Sequence, residues 1–215
     1  MTADRARADD AGSASTGEVL TLADGGQILV RPLLPSDRDE LARRYLELSP
    51  EARRLRFFNA PEHLSERLLD YLMDVDQRDR SAVVAFAIDD DGAPGVGIAR
   101  YVRDRDDPTC AEAAVTVLDA YQQRGIATAL LRRLSAEARD NGIGTFTASV
   151  MWDNRALLDG LRALGARIAP SEPGVASVRI DIPEPDTSDS DTDLRHVLRT
   201  FASRIGERIG LRFTR

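Results

Sequence analysis

The chain contains no lysine. All 29 of its basic residues are arginine, so every basic side chain keeps its positive charge and no side-chain amine is open to acylation. A GC-rich coding bias is enough to explain this composition, but the chemical consequence holds whatever the cause.

Cysteine and histidine are almost absent as well. The single cysteine, Cys110, excludes an internal disulfide and is typical of a reducing compartment, so we predict a cytoplasmic location. With two histidines and one cysteine, we expect no zinc site of the His/Cys kind and predict no metal cofactor. Cys110 itself is interpreted as a buried apolar residue.

Long apolar runs are missing too. No run reaches the roughly eighteen residues of a transmembrane helix, and the polar N-terminal segment lacks the apolar core of a secretory signal. The formal net charge of -7 argues against a general nucleic-acid binder, because phosphate neutralisation needs a basic face. What is present is 42% hydrophobic residues over 215 positions, which is enough for one folded core.

Composition divides the chain into four parts. We predict a disordered lead at 1–17, a mixed α/β domain at 18–182, an acidic disordered linker at 183–193 and a basic amphipathic helix at 194–215. The last segment has six arginines and one glutamate. We favour docking of its apolar stripe on the domain or on a dimer mate over contact with an anionic membrane surface, because Gly206 and Gly210 weaken an autonomous helix.

Apolar periodicity predicts the elements of the domain. A hairpin around Asp24-Gly25-Gly26 comes first, and a helix capped by Ser36 or Asp37 follows it. The remaining patterns predict helices from Ser49 and after His63, strands at 81–88, 96–103 and 110–118, a helix at 125–142, a strand at 145–151, a helix at 154–165 and a final pair of strands.

The segment after the strand at 110–118 has the composition of a phosphate site. A short loop ending at Arg124 leads into a helix whose first residues, Gly125 to Thr128, are mostly small. A helix N-terminus with free N–H groups attracts phosphate, and Gly125 removes the Cβ that would keep a diphosphate away. An ordinary strand–loop–helix corner explains the same residues equally well.

The same residues resemble a known family. Gln122-Gln123-Arg124-Gly125-Ile126-Ala127 is similar to the Q/R-x-x-G-x-G/A signature of the Gcn5-related N-acetyltransferases (GNAT). SVMWDNRALLDGLRALGARI resembles the second cofactor segment of that superfamily. LADGGQILVRPLLPSDRDEL and LSPEARRLRFF resemble the catalytic domain of bacterial Pat-type protein lysine acetyltransferases.

The resemblance implies a fold and a co-substrate. The fold is α/β, with a mixed, mostly antiparallel sheet flanked by helices and splayed between the family's fourth and fifth strands, here 110–118 and 145–151. The co-substrate is acetyl-CoA, with pantetheine along the first of these strands and the diphosphate at the following loop. The implied cofactor-binding residues are Val115, Thr116, Val117, Gln122, Gln123, Arg124, Gly125, Ile126, Ala127, Thr128 and Asn154.

Glu112 is the predicted catalytic residue. It matches the Ala-Glu position of Pat-type enzymes, and the neighbouring alanines favour partial desolvation, which would raise the pKa of a base. A rim glutamate paired with an arginine is the alternative. The sequence departs from the family at Leu161, where many members have a tyrosine that protonates the thiolate, and at Gln123 and Ala127, which replace common glycines.

Three functions follow as hypotheses. The first is an acetyl-CoA-dependent N-acetyltransferase that acts on a protein lysine by direct attack. The second is the same chemistry on a small amine, and the third is a non-catalytic acyl-CoA-binding module. We expect a monomer or homodimer with no nucleic-acid partner.

Overall fold

The computed structural model describes residues 17–58 and 61–182. The strands are β1 (Glu18–Thr21), β2 (Gln27–Pro32), β3 (Arg80–Ala87), β4 (Gly95–Arg103), β5 (Cys110–Val117), β6 (Thr145–Met151), β7 (Arg167–Glu172) and β8 (Val175–Asp181). The helices are α1 (Arg38–Glu47), α2 (Pro50–Phe57), α3 (Glu66–Met73), α4 (Ile126–Asp140) and α5 (Arg155–Ala163). Short 3-10 turns precede α1 and α4.

The eight strands form one sheet in the order β1-β2-β3-β4-β5-β6-β8-β7. Neighbouring strands are antiparallel except β5 and β6, which are parallel. The β5–β6 register consists of three pairs and ends at Glu112 and Thr147. From there to their C-terminal ends the two strands separate, and the sheet opens into a wedge-shaped gap.

Helices cover both faces of the sheet. The larger core packs α4 and α5 against odd-numbered residues of β5, including Ala113 and Val115. Two smaller cores lie on the other face, one of them around Tyr45 of α1 and Leu72 of α3. Because strand side chains alternate between faces, even-numbered residues of β5 face α1–α3.

Most predicted elements are confirmed within two residues of their ends. Alternation and turn residues identified the strands, and Ser49 and Ser65 cap α2 and α3 as side-chain acceptors. The cap prediction for α1 was wrong, since Asp37 makes no side-chain cap there. Its carboxylate instead accepts hydrogen bonds from Arg31 and from the Leu34 N–H.

The α/β architecture with a splayed, mostly antiparallel sheet is also as expected. The predicted splayed strands are β5 and β6 of this chain, because four strands, β1 to β4, precede them. The predicted lead, linker and basic tail fall outside the described residues, except Gly17 at the end of the lead. Between residues 17 and 182, no described helix is long and apolar enough to cross a membrane.

Candidate active site

The gap between β5 and β6 exposes backbone groups of one strand edge. The Leu118 N–H donates to the Val96 carbonyl of the β4 side (2.9 Å), whereas Thr147 Oγ1 donates to the Ala111 carbonyl (3.4 Å) from the β6 side. Backbone groups alternate in direction along a strand. Those of Ala113, Val115 and Val117 therefore face the gap, beyond the last β5–β6 pair.

The predicted phosphate loop lies at the open end of this gap. Gln123 has a φ of 63° and Gly125 a φ of 91°, so two of three successive residues are left-handed and turn their N–H groups outward. Gly125 is the N-cap residue of α4 and has no side chain to cap it, and a Cβ at Gly125 would meet no atom within 4 Å. The backbone at this N-terminus is therefore not covered by a side chain of its own N-cap residue.

Two side chains of the loop already have protein partners. Gln122 Nε2 donates to the Val117 carbonyl (3.3 Å), and Arg124 Nε donates to Asp24 Oδ2 (2.5 Å) on the β1–β2 turn. The guanidinium of Arg124 also lies over the Tyr121 ring, 5.5 Å from its centroid. Arg124 is thus a cation held in place by the hairpin, which sequence alone did not indicate.

The other predicted cofactor residues divide by burial. The side chains of Val115, Val117, Ile126 and Ala127 belong to the large core, so only their backbone is able to contact a ligand. Thr116 is on the opposite face and is partly exposed, and Thr128 is also partly exposed.

Asn154 and Leu161 are both placed on α5. Asn154 is the N-cap residue, and its Oδ1 accepts a hydrogen bond from the Leu157 N–H (3.4 Å). This gives Asn154 a structural function at the end of β6. Leu161 is buried in the core and has no proton to donate.

Glu112 lies at the vertex of the gap, in the last pair of the β5–β6 register. Its side chain is partly buried on the α1–α3 face. Two buried arginines, Arg56 of α2 and Arg100 of β4, are close enough for the charge of Glu112 to raise their pKa values.

The two arginines were missed by the sequence interpretation. Burial lowers the pKa of Arg56 to about 9, with a further contribution from repulsion by Arg100. Burial is also the main cause that lowers the pKa of Arg100. The available signal was an arginine inside an apolar pattern, in RRLRFF for Arg56 and in VGIARYV for Arg100, but in a chain with 29 arginines this signal does not stand out.

A cavity opens beside these residues, between the sheet and α1–α3. Apolar side chains such as Leu48, Phe57 and Leu72 form most of its wall. Arg56 and Arg100 line it as well. The cavity lies on the face of the sheet opposite the core that α4 and α5 form.

Across from the cavity, α2 is tied to the end of β6. Arg54 donates to Met151 Sδ (3.0 Å) and forms an ion pair with Asp153 (3.0 Å). These contacts bridge the α1–α3 face to the far wall of the gap. Among residues 17–58 and 61–182, no group of acidic, histidine or cysteine side chains is arranged to hold a metal ion.

Comparison with known proteins identifies relatives of this arrangement. The model of the acetyltransferase (GNAT) family matches residues 43–165. Acetyltransferase PA5475 of Pseudomonas aeruginosa is 38% identical over 147 residues, which are 68% of this chain and 78% of that protein.

Two Pat proteins are also similar. Acetyltransferase Pat of Mycolicibacterium smegmatis is 32% identical over 183 residues, which are 84% of this chain and 54% of Pat, so the chain spans about half the length of that relative. The crystal structure of the GNAT domain of S. lividans PAT superposes with a TM-score of 0.69 at 31% identity, over 77% of this chain and 96% of that one.

Proposed function

The chain belongs to the GNAT family of N-acetyltransferases, and from this premise we propose that it transfers an acetyl group from acetyl-CoA to a primary amine, with a protein lysine as acceptor and Glu112 as general base. The observation that supports the proposal most directly is the left-handed glycine N-cap of α4, Gly125, in the loop that follows β5 at the β5–β6 gap. Members of this family use acetyl-CoA as the acetyl donor.

The residues fit this co-substrate. The outward N–H groups around Gly125 and the partial positive charge of the α4 N-terminus suit a diphosphate. The gap-facing backbone of Val115 and Val117 suits the amide groups of pantetheine, which would pair with it as a short strand. When bound, acetyl-CoA supplies a thioester as the electrophile.

Transfer requires a neutral amine beside that thioester. Glu112 takes the proton of the acceptor ammonium, directly or through water, and the freed lone pair forms the new C–N bond as the C–S bond breaks. A backbone N–H near Val115 stabilises the negative charge that develops on the carbonyl oxygen. Leu161 cannot protonate the departing thiolate, so solvent provides that proton.

Two observations bear on the acceptor. The similarity to Pat proteins supports a protein lysine. The apolar cavity on the α1–α3 face favours a second candidate, a small amine that binds in it. A cytoplasmic location and a monomeric or dimeric state remain predictions.

A thiol-release assay tests the catalytic proposal. The wild-type protein, given acetyl-CoA with a mixture of lysine peptides and small amines, should release free CoA. Glu112→Gln should lower kcat by roughly 100-fold, because the base is lost, while calorimetry shows acetyl-CoA affinity within about twofold of wild type.

The matched control is Glu66→Gln, since Glu66 is a highly exposed residue of α3. Unchanged turnover in Glu112→Gln would remove this residue from the mechanism. Tight acetyl-CoA binding without thiol release from any acceptor would instead indicate a non-catalytic acyl-CoA-binding module.

A further inference from the structure

Two arginine side chains are buried in the cavity wall with N–H groups that have no partner. Arg56 is 4% exposed and Arg100 is 1% exposed. Arg56 Nη1, Arg100 Nε and Arg100 Nη2 are buried and donate to no hydrogen-bond acceptor within the described residues. An unmade hydrogen bond of a buried charged group is among the most costly defects in a folded protein.

Packing on aromatic rings does not supply what is missing. The guanidinium of Arg56 lies over Phe57 at 4.8 Å and that of Arg100 over Tyr71 at 4.6 Å. An aromatic ring attracts the cation but offers its N–H groups no oxygen acceptor. Arg100 Nη1 donates to the Tyr71 carbonyl at 3.4 Å.

The charged groups beside the cavity leave a net charge of +1 around Arg56 and Arg100. Glu112 offsets one of the two arginines. The other charged groups beside these arginines form ion pairs among themselves or with a neighbour: Asp37 with Arg31, Glu40 with Arg44, and Asp74 with Arg80. One bound monoanion would bring the net charge of this cluster to zero, and a bound dianion would make it negative.

The positions of the unmade bonds identify the kind of anion. Nε and Nη2 form one edge of the Arg100 guanidinium, and both are unpartnered. That edge presents two parallel N–H bonds at the spacing of the two oxygens of a carboxylate. Because Arg100 and Glu112 lie in facing segments of β4 and β5, a carboxylate on this edge would sit close to the proposed base.

We propose that Arg56 and Arg100 form a carboxylate-binding site for the amine acceptor, so that the preferred acceptor carries a carboxylate a short distance from its reacting nitrogen. This inference rests on the proposed function. The carboxylate belongs either to a small amino acid-like molecule or to an acidic residue beside a lysine in a protein, and the experiment separates these sources.

Two matched acceptor pairs test the proposal by kinetics. The small pair is 5-aminopentanoate and pentylamine, and the peptide pair differs only in Glu or Gln next to one lysine. In the pair that represents the true source, the wild-type protein should favour the carboxylate by about tenfold or more in kcat/KM. A preference in the small pair indicates a small-molecule acceptor, and one in the peptide pair indicates a protein acceptor.

Variants connect the preference to the two side chains. Arg56→Gln and Arg100→Gln should reduce the ratio to near one, mainly through KM for the carboxylate acceptor. Arg100→Lys keeps the charge and loses the two-bond edge, so it should give an intermediate ratio. Arg43→Gln, at an exposed position of α1, is the control and should retain the wild-type ratio.

A binding measurement keeps the inference testable without turnover. In the presence of CoA, 5-aminopentanoate or the Glu peptide should raise the melting temperature of the wild-type protein, and pentylamine or the Gln peptide should not. If neither kinetics nor binding distinguishes the members of either pair, or if the folded glutamine variants keep the preference, the inference is wrong. If the protein turns over all acceptors with equal efficiency, the carboxylate site is wrong and the proposed function stands. If it turns over no acceptor but binds the carboxylate members selectively, the proposed function is wrong and the carboxylate site stands.

Discussion

The Arg31–Asp37 pair shows how one charged contact sets the position of the acceptor-side helices. Arg31 Nη1 and Nη2 each donate to a different oxygen of the Asp37 carboxylate at 2.7 Å, and the Leu34 N–H donates to the same group at 2.8 Å. Burial opposes ionisation of Asp37, but these hydrogen bonds outweigh it and lower its pKa below 3.8. The pair therefore joins β2 to the start of α1.

Asp37→Asn should destabilise the protein by about 2 kcal/mol at neutral pH, because the pair is largely buried and Arg31 would lose its partner. Since the folded-state pKa is depressed, this stability is fully present above pH 3.8 and is lost as the pH falls through the lower folded value. Urea unfolding of both proteins at pH 7 and near pH 3 measures the difference. A gap between wild type and variant that does not narrow in acid would contradict the assignment.

The surroundings of Glu112 do not follow from its place in the sequence. Glu112 is identifiable from its position in a small-residue strand, but Arg56 and Arg100 reach it from α2 and β4. Their separation along the chain means that no local pattern links them. The electrostatic environment of the proposed base is therefore a tertiary property.

Among the elements, α4 has a left-handed glycine at each end. Gly125 precedes its first turn with a φ of 91°, and Gly142 follows its last with a φ of 77°. A Cβ at either position would meet nothing within 4 Å. An alanine there costs backbone strain alone, with no steric overlap.

This symmetry gives a matched pair of variants. Gly125→Ala and Gly142→Ala should each lower stability by about 1–2 kcal/mol, since each forces a Cβ into the left-handed region. Only Gly125→Ala should also weaken acetyl-CoA binding, by roughly tenfold, because it turns the N–H groups of the proposed diphosphate loop. Chemical denaturation and calorimetry on both variants provide the test, and equal loss of acetyl-CoA affinity in the two would argue against this loop as the diphosphate site.

At the scale of the whole molecule, the sheet consists of two halves joined by a short seam. Three residue pairs link β5 to β6, while β3–β4, β4–β5 and β6–β8 pair over seven residues each. The gap beyond the seam leaves backbone edges that a bound molecule could bridge. Ligand binding should therefore be visible as protection of specific amides.

Hydrogen exchange measures this directly. Without ligand, the amides of Ala114 and Thr116, which face β4, should exchange slowly, while those of Val115 and Val117 exchange faster. Acetyl-CoA should slow exchange at Val115 and Val117 in particular. Protection spread evenly over β5, or none at these two residues, would count against pantetheine pairing along the strand.

Much of this architecture was predictable from the sequence because it depends on local patterns. Alternation in the strands, serine caps before α2 and α3, and glycine at the ends of α4 act within a few residues. The cap of α1 was not predictable in the same way. Asp37 has the residue type of a cap, but Arg31 on the neighbouring strand competes for its carboxylate and wins through two charge-assisted hydrogen bonds.

The sequence by itself determined the order and type of the elements, the loop at Gln122–Thr128 and the position of Glu112, because each depends on neighbours along the chain. The tertiary structure alone decided that Asp24 holds Arg124 and that two arginines lie buried beside Glu112 with N–H groups unpartnered. These contacts join residues from separate elements, and their energies depend on burial and distance, which are fixed only when the sheet and helices pack together.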